Sequence, residues 1–179
     1  MRITGGSLKG RHVKVPRGQI RPAMDRMRES LFSVLGDLSG LSFLDLFSGS
    51  GIIALEAASR GAEYVEAVEL DFIKRKTLLE NVRISPQRIS CRFMPVELYV
   101  KRAKRCFDII FCDPPYSYQY KWELIDTITN STLVKDKSLL MLHRPREESQ
   151  KAEGQEKLFK ENYREYGRSV VDFFRLNKT

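Results

Sequence analysis

Asp45-Leu46-Phe47-Ser48-Gly49-Ser50-Gly51 joins an apolar strand-like run, residues 42–47, to a helical stretch that begins near Ile52. Gly49 and Gly51 let the backbone turn tightly and approach a ligand with no Cβ in the way. The start of the helix offers unpaired N–H groups, which suit a carboxylate. Asp45 is placed to hold an ammonium group or a water bridging to one. The spacing is G-x-G and not the full G-x-G-x-x-G, which lowers the reading as a redox dinucleotide site; by itself the loop also fits a plain tight turn.

Outward from this loop, strands and helices alternate. Residues 52–60 read as a helix stopped at Gly61, 64–70 as a strand, 72–82 as a helix and 89–94 as a strand. Then come a helix over 96–105, a strand over 107–112, a helix near 120–130 and a strand over 138–143. The tail, 158–166 and 169–176 about Gly167, reads as an antiparallel hairpin. Upstream, Met24, Met27, Leu31, Val34, Leu35 and Leu38 recur at helical spacing and predict an amphipathic helix ending near 36–40. Gly5-Gly6, Gly10, Pro16 and Gly18 separate the short stretches 7–9 and 11–15, which predicts a small extended hairpin. The chain therefore divides into a basic arm, 1–22, and an α/β domain, 23–179. The alternation implies a mostly parallel sheet of seven strands with helices on both faces and an antiparallel hairpin at the end. Ligands of such sheets bind at the carboxyl ends of strands.

Two further strand ends carry chemistry. Val68-Glu69-Leu70-Asp71 places Glu69 eighteen residues after Gly51, where an acid suits a bidentate hydrogen bond to a ribose diol. Asp113-Pro114-Pro115-Tyr116 follows the apolar run 107–112. An acid, two rigid prolines and an aromatic ring fit a flat ring bearing an exocyclic amine. Such an amine is a poor nucleophile because its lone pair is delocalised into the ring. Acceptors aimed at its N–H groups, the Asp113 carboxylate and the Pro114 carbonyl, favour the sp³-like nitrogen of a transition state, the mirror image of an oxyanion hole. The prolines fix where that carbonyl points, and Tyr116 supplies a stacking face, worth roughly 1–3 kcal/mol per base.

The 179 residues, 42% hydrophobic and 30% charged, describe an ordinary globular domain. Cys91, Cys106 and Cys112 match neither a zinc nor a disulfide framework and read as core residues of a reduced, cytoplasmic protein. No His/Cys cluster supports a metal. No run approaches the ~20 apolar residues of a membrane span. The net charge of +8 is uneven: residues 1–30 carry eight Lys and Arg against Asp25 and Glu29, six of the eight net charges. Such a segment is the electrostatic footprint of a polyanion. Lys74-Arg75-Lys76 and the basic run 101–105 read instead as solvated helix faces. Trp122, with Tyr118 and Tyr120, is either a lid over the base or packing.

Taken together, residues 45–51 and 113–116 in this strand order resemble the class I S-adenosylmethionine-dependent amino-methyltransferases, of Rossmann-like fold. Arg2-Ile3-Thr4-Gly5-Gly6-Ser7-Leu8-Lys9-Gly10-Arg11, the block from Arg21-Pro22 through Leu31-Phe32, Glu56-Ala57-Ala58-Ser59-Arg60-Gly61-Ala62 and Tyr166-Gly167-Arg168 resemble the RsmD family, over essentially the whole chain. That family methylates the N2 amine of a guanine in 16S ribosomal RNA. The resemblance implies that Asp45, Phe47, Gly49, Ser50, Gly51, Glu69 and Leu70 bind S-adenosylmethionine. It assigns the target guanine to Asp113, Pro114, Pro115 and Tyr116, and ribosomal RNA to Arg2, Lys9, Arg11, Arg21, Arg26 and Arg28. A cytoplasmic monomer acting on an assembled or assembling small subunit is expected.

Two departures stand out: Phe93-Met94-Pro95-Val96 lacks the polar residue often placed near the cofactor adenine, so apolar packing is expected there. His143-Arg144 stands where a carboxylate is expected, and His143 is read as structural. The alternatives are a DNA adenine-N6 methyltransferase, against which stands the lack of any insertion for a DNA-reading domain, and a non-catalytic RNA-binding assembly factor.

Overall fold

The structure is a computed structural model that describes residues 1–16, 25–148 and 158–177. It divides into two compact units, Met1–Pro95 and Val96–Thr179.

The first unit is a three-stranded parallel layer with helices. Its strands are β1 (Ser42–Leu46), β2 (Tyr64–Glu69) and β3 (Ile89–Phe93), in the order β3-β2-β1, with Ser42 beside Tyr64 and Val65 beside Ile89. The helices are α1 (Asp25–Leu35), α2 (Ile52–Ser59) and α3 (Phe72–Val82). Every residue of α2 is buried, as its run of Ile, Leu and Ala requires of a helix that is apolar on all sides. α1 turns Phe32 onto Phe43 of β1, ring centroids 6.0 Å apart, and the Arg60 guanidinium lies 4.7 Å over the Phe32 ring.

Residues 1–16 belong to this unit and dock on α2. The extended pairing is not between 7–9 and 11–15. Residues 1–3 pair with 11–13 instead, through Ile3 N–H to the Arg11 carbonyl (3.0 Å) and Val13 N–H to the Met1 carbonyl (2.9 Å), and residues 5–10 form the turn. The α2 surface sets this register. Ser7 N–H donates to the Ser59 carbonyl (2.7 Å), Leu8 N–H to Ser59 Oγ (2.9 Å), and Thr4 N–H to Glu56 Oε1 (2.7 Å). Gly6, at φ +75°, lies so close that a Cβ there would fall 1.9 Å from the Ser59 carbonyl oxygen, which explains the glycine.

The second unit holds α4 (Val96–Arg102), α5 (Lys121–Thr129) and the strands β4 (Phe107–Cys112), β5 (Val134–Pro145), β6 (Leu158–Tyr166) and β7 (Ser169–Leu176), in the order β4-β5-β7-β6. β4 runs parallel to β5, while β7 pairs antiparallel with both β5 and β6. β5 extends well beyond 138–143. Its start passes through an irregular register against β4, with Lys137 at φ +61°, and its end is prolonged because Pro145 pairs with Ser169 of β7. α4 is shorter than the basic sequence 96–105 suggests. Trp122 lies edge-on to Phe174, centroids 6.4 Å apart, so it packs within the unit. The seven strands make the mostly parallel mixed sheet with a C-terminal antiparallel hairpin that the sequence pattern implies. No helix among the described residues is long and apolar enough to cross a membrane.

Candidate active site

The glycine loop of the first unit is held by two carboxylates. Asp45, the fourth residue of β1, is 1% exposed; its Oδ2 accepts from Ser48 Oγ (2.6 Å) and from the Ala54 N–H (3.2 Å), tying the loop to the first turn of α2. Its carboxylate is thus committed at least partly to the loop, whereas the sequence pattern has it facing a ligand. Ser48 N–H donates to the Val68 carbonyl (2.9 Å), and Gly51 N–H closes a turn on the Ser48 carbonyl (2.9 Å).

Glu69, at the end of β2, is buried and lies across this loop. Its Oε2 accepts the Gly49 N–H at 2.7 Å and its Oε1 the Asp71 N–H at 2.8 Å. Lys74 Nζ stands 3.7 Å from Glu69 Oε1 and from Asp71 Oδ2, so Lys74 is not simply part of a solvated face. Asn81 is a residue that sequence reasoning misses. Almost fully buried on α3, it donates to the Ser50 carbonyl (2.8 Å) and the Lys14 carbonyl (2.9 Å), and it accepts from Lys14 N–H (3.0 Å). No signal marks it in the sequence, since it sits in an ordinary helical pattern.

Backbone strain concentrates at the loop. Phe47 has φ +63°, an uncommon conformation for an aromatic residue, and persists because the surrounding bonds over-determine it. Gly51, at φ +80°, caps α2 with no side-chain hydrogen bond, and a Cβ there would strike Leu78 Cδ1 at 2.5 Å. Over Gly49 the space is open: a Cβ would meet nothing closer than the Phe47 carbonyl oxygen at 4.0 Å. A glycine at the helix start, an open glycine and a buried strand-end acid meet at this loop, and the Ile52 and Ala54 N–H groups of the first turn of α2 are taken by Ser50 Oγ (3.3 Å) and Asp45 Oδ2 (3.2 Å). Beyond them, Leu70 (54% exposed), Phe72 and Ile73 present apolar surface, and the Arg75 guanidinium lies 4.9 Å over the Phe93 ring.

The second unit carries Asp113-Pro114-Pro115-Tyr116 at the end of β4. Asp113 Oδ1 lies 2.8 Å from His143 Nδ1, and Pro114 is buried while Pro115 and Tyr116 are exposed. A turn follows, closed by Tyr118 N–H on the Pro115 carbonyl (2.9 Å). Lys121, nearly fully buried at the start of α5, clamps this turn: its Nζ donates to the Tyr118 carbonyl (2.5 Å), the Tyr116 carbonyl (3.3 Å) and Glu148 Oε1 (2.8 Å). Arg144 extends the brace, bonding Asp172 (2.5 Å from Nε) and the Glu148 carbonyl (2.5 Å). Tyr118 donates to Glu97 Oε1 (2.5 Å); partial burial and this carboxylate push its phenol above the ordinary range.

Among the predicted RNA-contacting cations, Arg2, Lys9, Arg11 and Arg26 are exposed, and Arg21 lies outside the described residues. Arg28 is a correction. It is fully buried and ion-paired with Asp25 and Glu56 (3.5 Å), and it donates to the Arg2 carbonyl (2.8 Å), so its guanidinium is committed to the fold and cannot reach a phosphate. Among the described residues no group of three His, Cys, Asp or Glu side chains is arranged to hold a metal ion.

A family model described as conserved hypothetical protein 95 matches residues 1–175. Ribosomal RNA small subunit methyltransferase D of Escherichia coli is 30% identical over 146 residues, 78% of this chain and 72% of that one. The chain belongs to the RsmD methyltransferase family. A candidate rRNA methyltransferase of Bacillus subtilis is 31% identical over 159 residues, 82% of this chain and 84% of its own. A candidate methyltransferase of Escherichia coli of known structure superposes with a TM-score of 0.87 at 25% identity, over 100% of this chain and 99% of that one. As an RsmD-family member the protein is an S-adenosylmethionine-dependent methyltransferase on a Rossmann-like sheet.

Proposed function

We propose that this RsmD-family enzyme methylates the exocyclic N2 amine of a guanine in small-subunit (16S) ribosomal RNA. The observation that carries this reading is the carboxylate of Asp113, held at a strand end by His143 and followed by two prolines and the exposed ring of Tyr116. S-adenosylmethionine, when bound, supplies an electrophilic methyl group. Glu69 takes the ribose hydroxyls, the positive end of the α2 dipole draws the carboxylate, and Asp45 with Phe47, Ser50 and Gly51 fixes the loop around Gly49. Leu70 and the apolar residues beside it cover the adenine. Asp113 and the Pro114 carbonyl accept the N–H groups of the target amine and draw its lone pair out of conjugation, while Tyr116 stacks on the base.

The two relatives with ribosomal RNA in their names support the substrate class. The exposed cations Arg2, Lys9, Arg11 and Arg26 supply the phosphate contacts. A domain of this size has little surface for reading a long sequence, and it recognises folded RNA within an assembled or assembling subunit, in the cytoplasm. It works as a monomer: edge strand β6 alternates Lys160, Glu161, Arg164 and Glu165 along its length, charges that oppose edge-to-edge pairing.

Labelled methyl transfer to small subunits from a strain lacking the enzyme, followed by digestion to nucleosides, tests the assignment. N2-methylguanosine is expected; N6-methyladenosine would overturn it. Equal turnover on protein-free RNA and on subunits would overturn the assembled substrate.

A further inference from the structure

We infer that His143 is a positioning residue of the methyl-transfer site, one that fixes the Asp113 carboxylate through an Nδ1–H donor; this rests on the reading of Asp113 as the amine acceptor. The placement follows from the sheet. Cys112 of β4 and Leu142 of β5 are partners in parallel register, so Asp113, just past the end of β4, and His143, within β5, stand side by side. The side chains meet at 2.8 Å.

The direction of this bond is set by chemistry. An ionised carboxylate has no hydrogen to give, so Nδ1 must donate and the ring proton sits there. The other nitrogen agrees with this tautomer. Nε2 is buried and has no hydrogen-bond partner among the described residues. A hydrogen on Nε2 would be a buried N–H with no acceptor. The imidazole therefore presents one donor, aimed at Oδ1, and a bare, buried Nε2 behind it.

This bond does what the motif by itself cannot. Asp113 is partly exposed, with 23% of its side chain accessible, and a carboxylate at the rim of a site rotates about χ2 unless one oxygen is anchored. His143, only 4% accessible and locked in the strand, anchors Oδ1 and so selects the orientation in which the carboxylate meets the amine. His143 touches neither base nor cofactor in this scheme and acts only through Asp113.

Replacements that keep or lose a donor at the Nδ1 position test the inference. In His143→Asn the amide nitrogen lies near the position of Nδ1; in His143→Gln it is carried one bond further, and His143→Leu has no donor. Expected are a kcat within about threefold of the parent for His143→Asn and a kcat at least about tenfold lower for His143→Gln and His143→Leu. The KM values for S-adenosylmethionine and for small subunits should not change. Calorimetric cofactor binding and a melting curve establish that each variant folds; should His143→Leu fail to fold, the Asn and Gln pair decides. Equal kcat in Asn and Gln variants, or a loss that falls in KM, overturns the inference. Asp113→Ala, run alongside, separates the two levels: an active Asp113→Ala sinks the role of Asp113 itself, whereas an inactive one beside fully active His143 variants sinks only that of His143.

Discussion

The glycine loop and the Asp113 turn, the two strand ends we propose as ligand sites, are held in different ways. Residues 45–51 are fixed by acids inside or close to the motif: Asp45 bonds Ser48 and Ala54, and Glu69, at the end of the adjacent strand, bonds the Gly49 N–H. The turn at 113–118 is fixed by side chains that no part of the motif contains. His143 reaches Asp113 from thirty residues away, and Lys121, itself paired with Glu148 across twenty-seven, takes the carbonyls of Tyr116 and Tyr118. The glycine loop is thus held mainly by its own residues and the adjacent strand, with Asn81 of α3 adding one bond to the Ser50 carbonyl. A platform for a flat base exposes its ring and its acid, so its support has to come from behind, from other strands and helices.

The largest effect that sharpens this contrast is expected at Asp113. Asp113→Ala should lower kcat by about 10²–10³-fold, the cost of losing one preorganised group at a developing charge. Its calorimetric affinity for S-adenosylmethionine should stay within about twofold, and a loss of cofactor binding would show that the two sites are not separable in role.

Glu69→Ala should do the reverse. Hydrogen bonds to a charged group contribute about 1.5–3 kcal/mol, and about 1.4 kcal/mol is tenfold in affinity. Cofactor affinity should therefore fall by about 10–100-fold, with kcat at saturation little changed. A fall in kcat with affinity intact would contradict the ribose assignment.

Lys121→Met probes the brace behind the base platform. It leaves two backbone carbonyls without their donor and should cost about 1–3 kcal/mol of stability, a lowering of the melting temperature by about 2–4 °C per kcal/mol for a chain of this size. Cofactor affinity should be unchanged, since the clamp lies wholly in the second unit; a weakened cofactor site would break the separation drawn above. The smallest effect is expected on the arm. Charge reversal at Arg2, Lys9 and Arg11 should weaken RNA binding mainly at low salt. The slope of log K against log salt should become shallower by up to about 0.7–0.9 for each phosphate that is no longer neutralised. An unchanged slope would remove the arm from RNA recognition.

The strand and helix pattern was readable because burial repeats with the period of each element. Residues 72–82, 107–112, 158–166 and 169–176 form the predicted elements with those bounds. Where the prediction departed, a partner set the boundary. β5 outlasts residue 143 because β7 pairs with it to Pro145, and the N-terminal turn takes its register from Ser59 and Glu56 of α2. Arg28 shows the same limit most sharply. In a run of basic residues it is indistinguishable from Arg26, yet one is exposed and the other fully buried against Glu56, because side chains two positions apart on a helix face different directions.

Residue type and local spacing place the candidate chemistry: which acids stand at strand ends, where glycine frees the backbone, and which turn carries an exposed ring. The chain states these directly. Which side chains support these strand ends is a matter of packing between distant segments. That His143 stands behind Asp113, that Lys121 clamps the turn and that Asn81 ties Ser50 to Lys14 all follow from strand register and helix packing. Most of those partners lie tens of positions apart in the chain, and no local pattern encodes them.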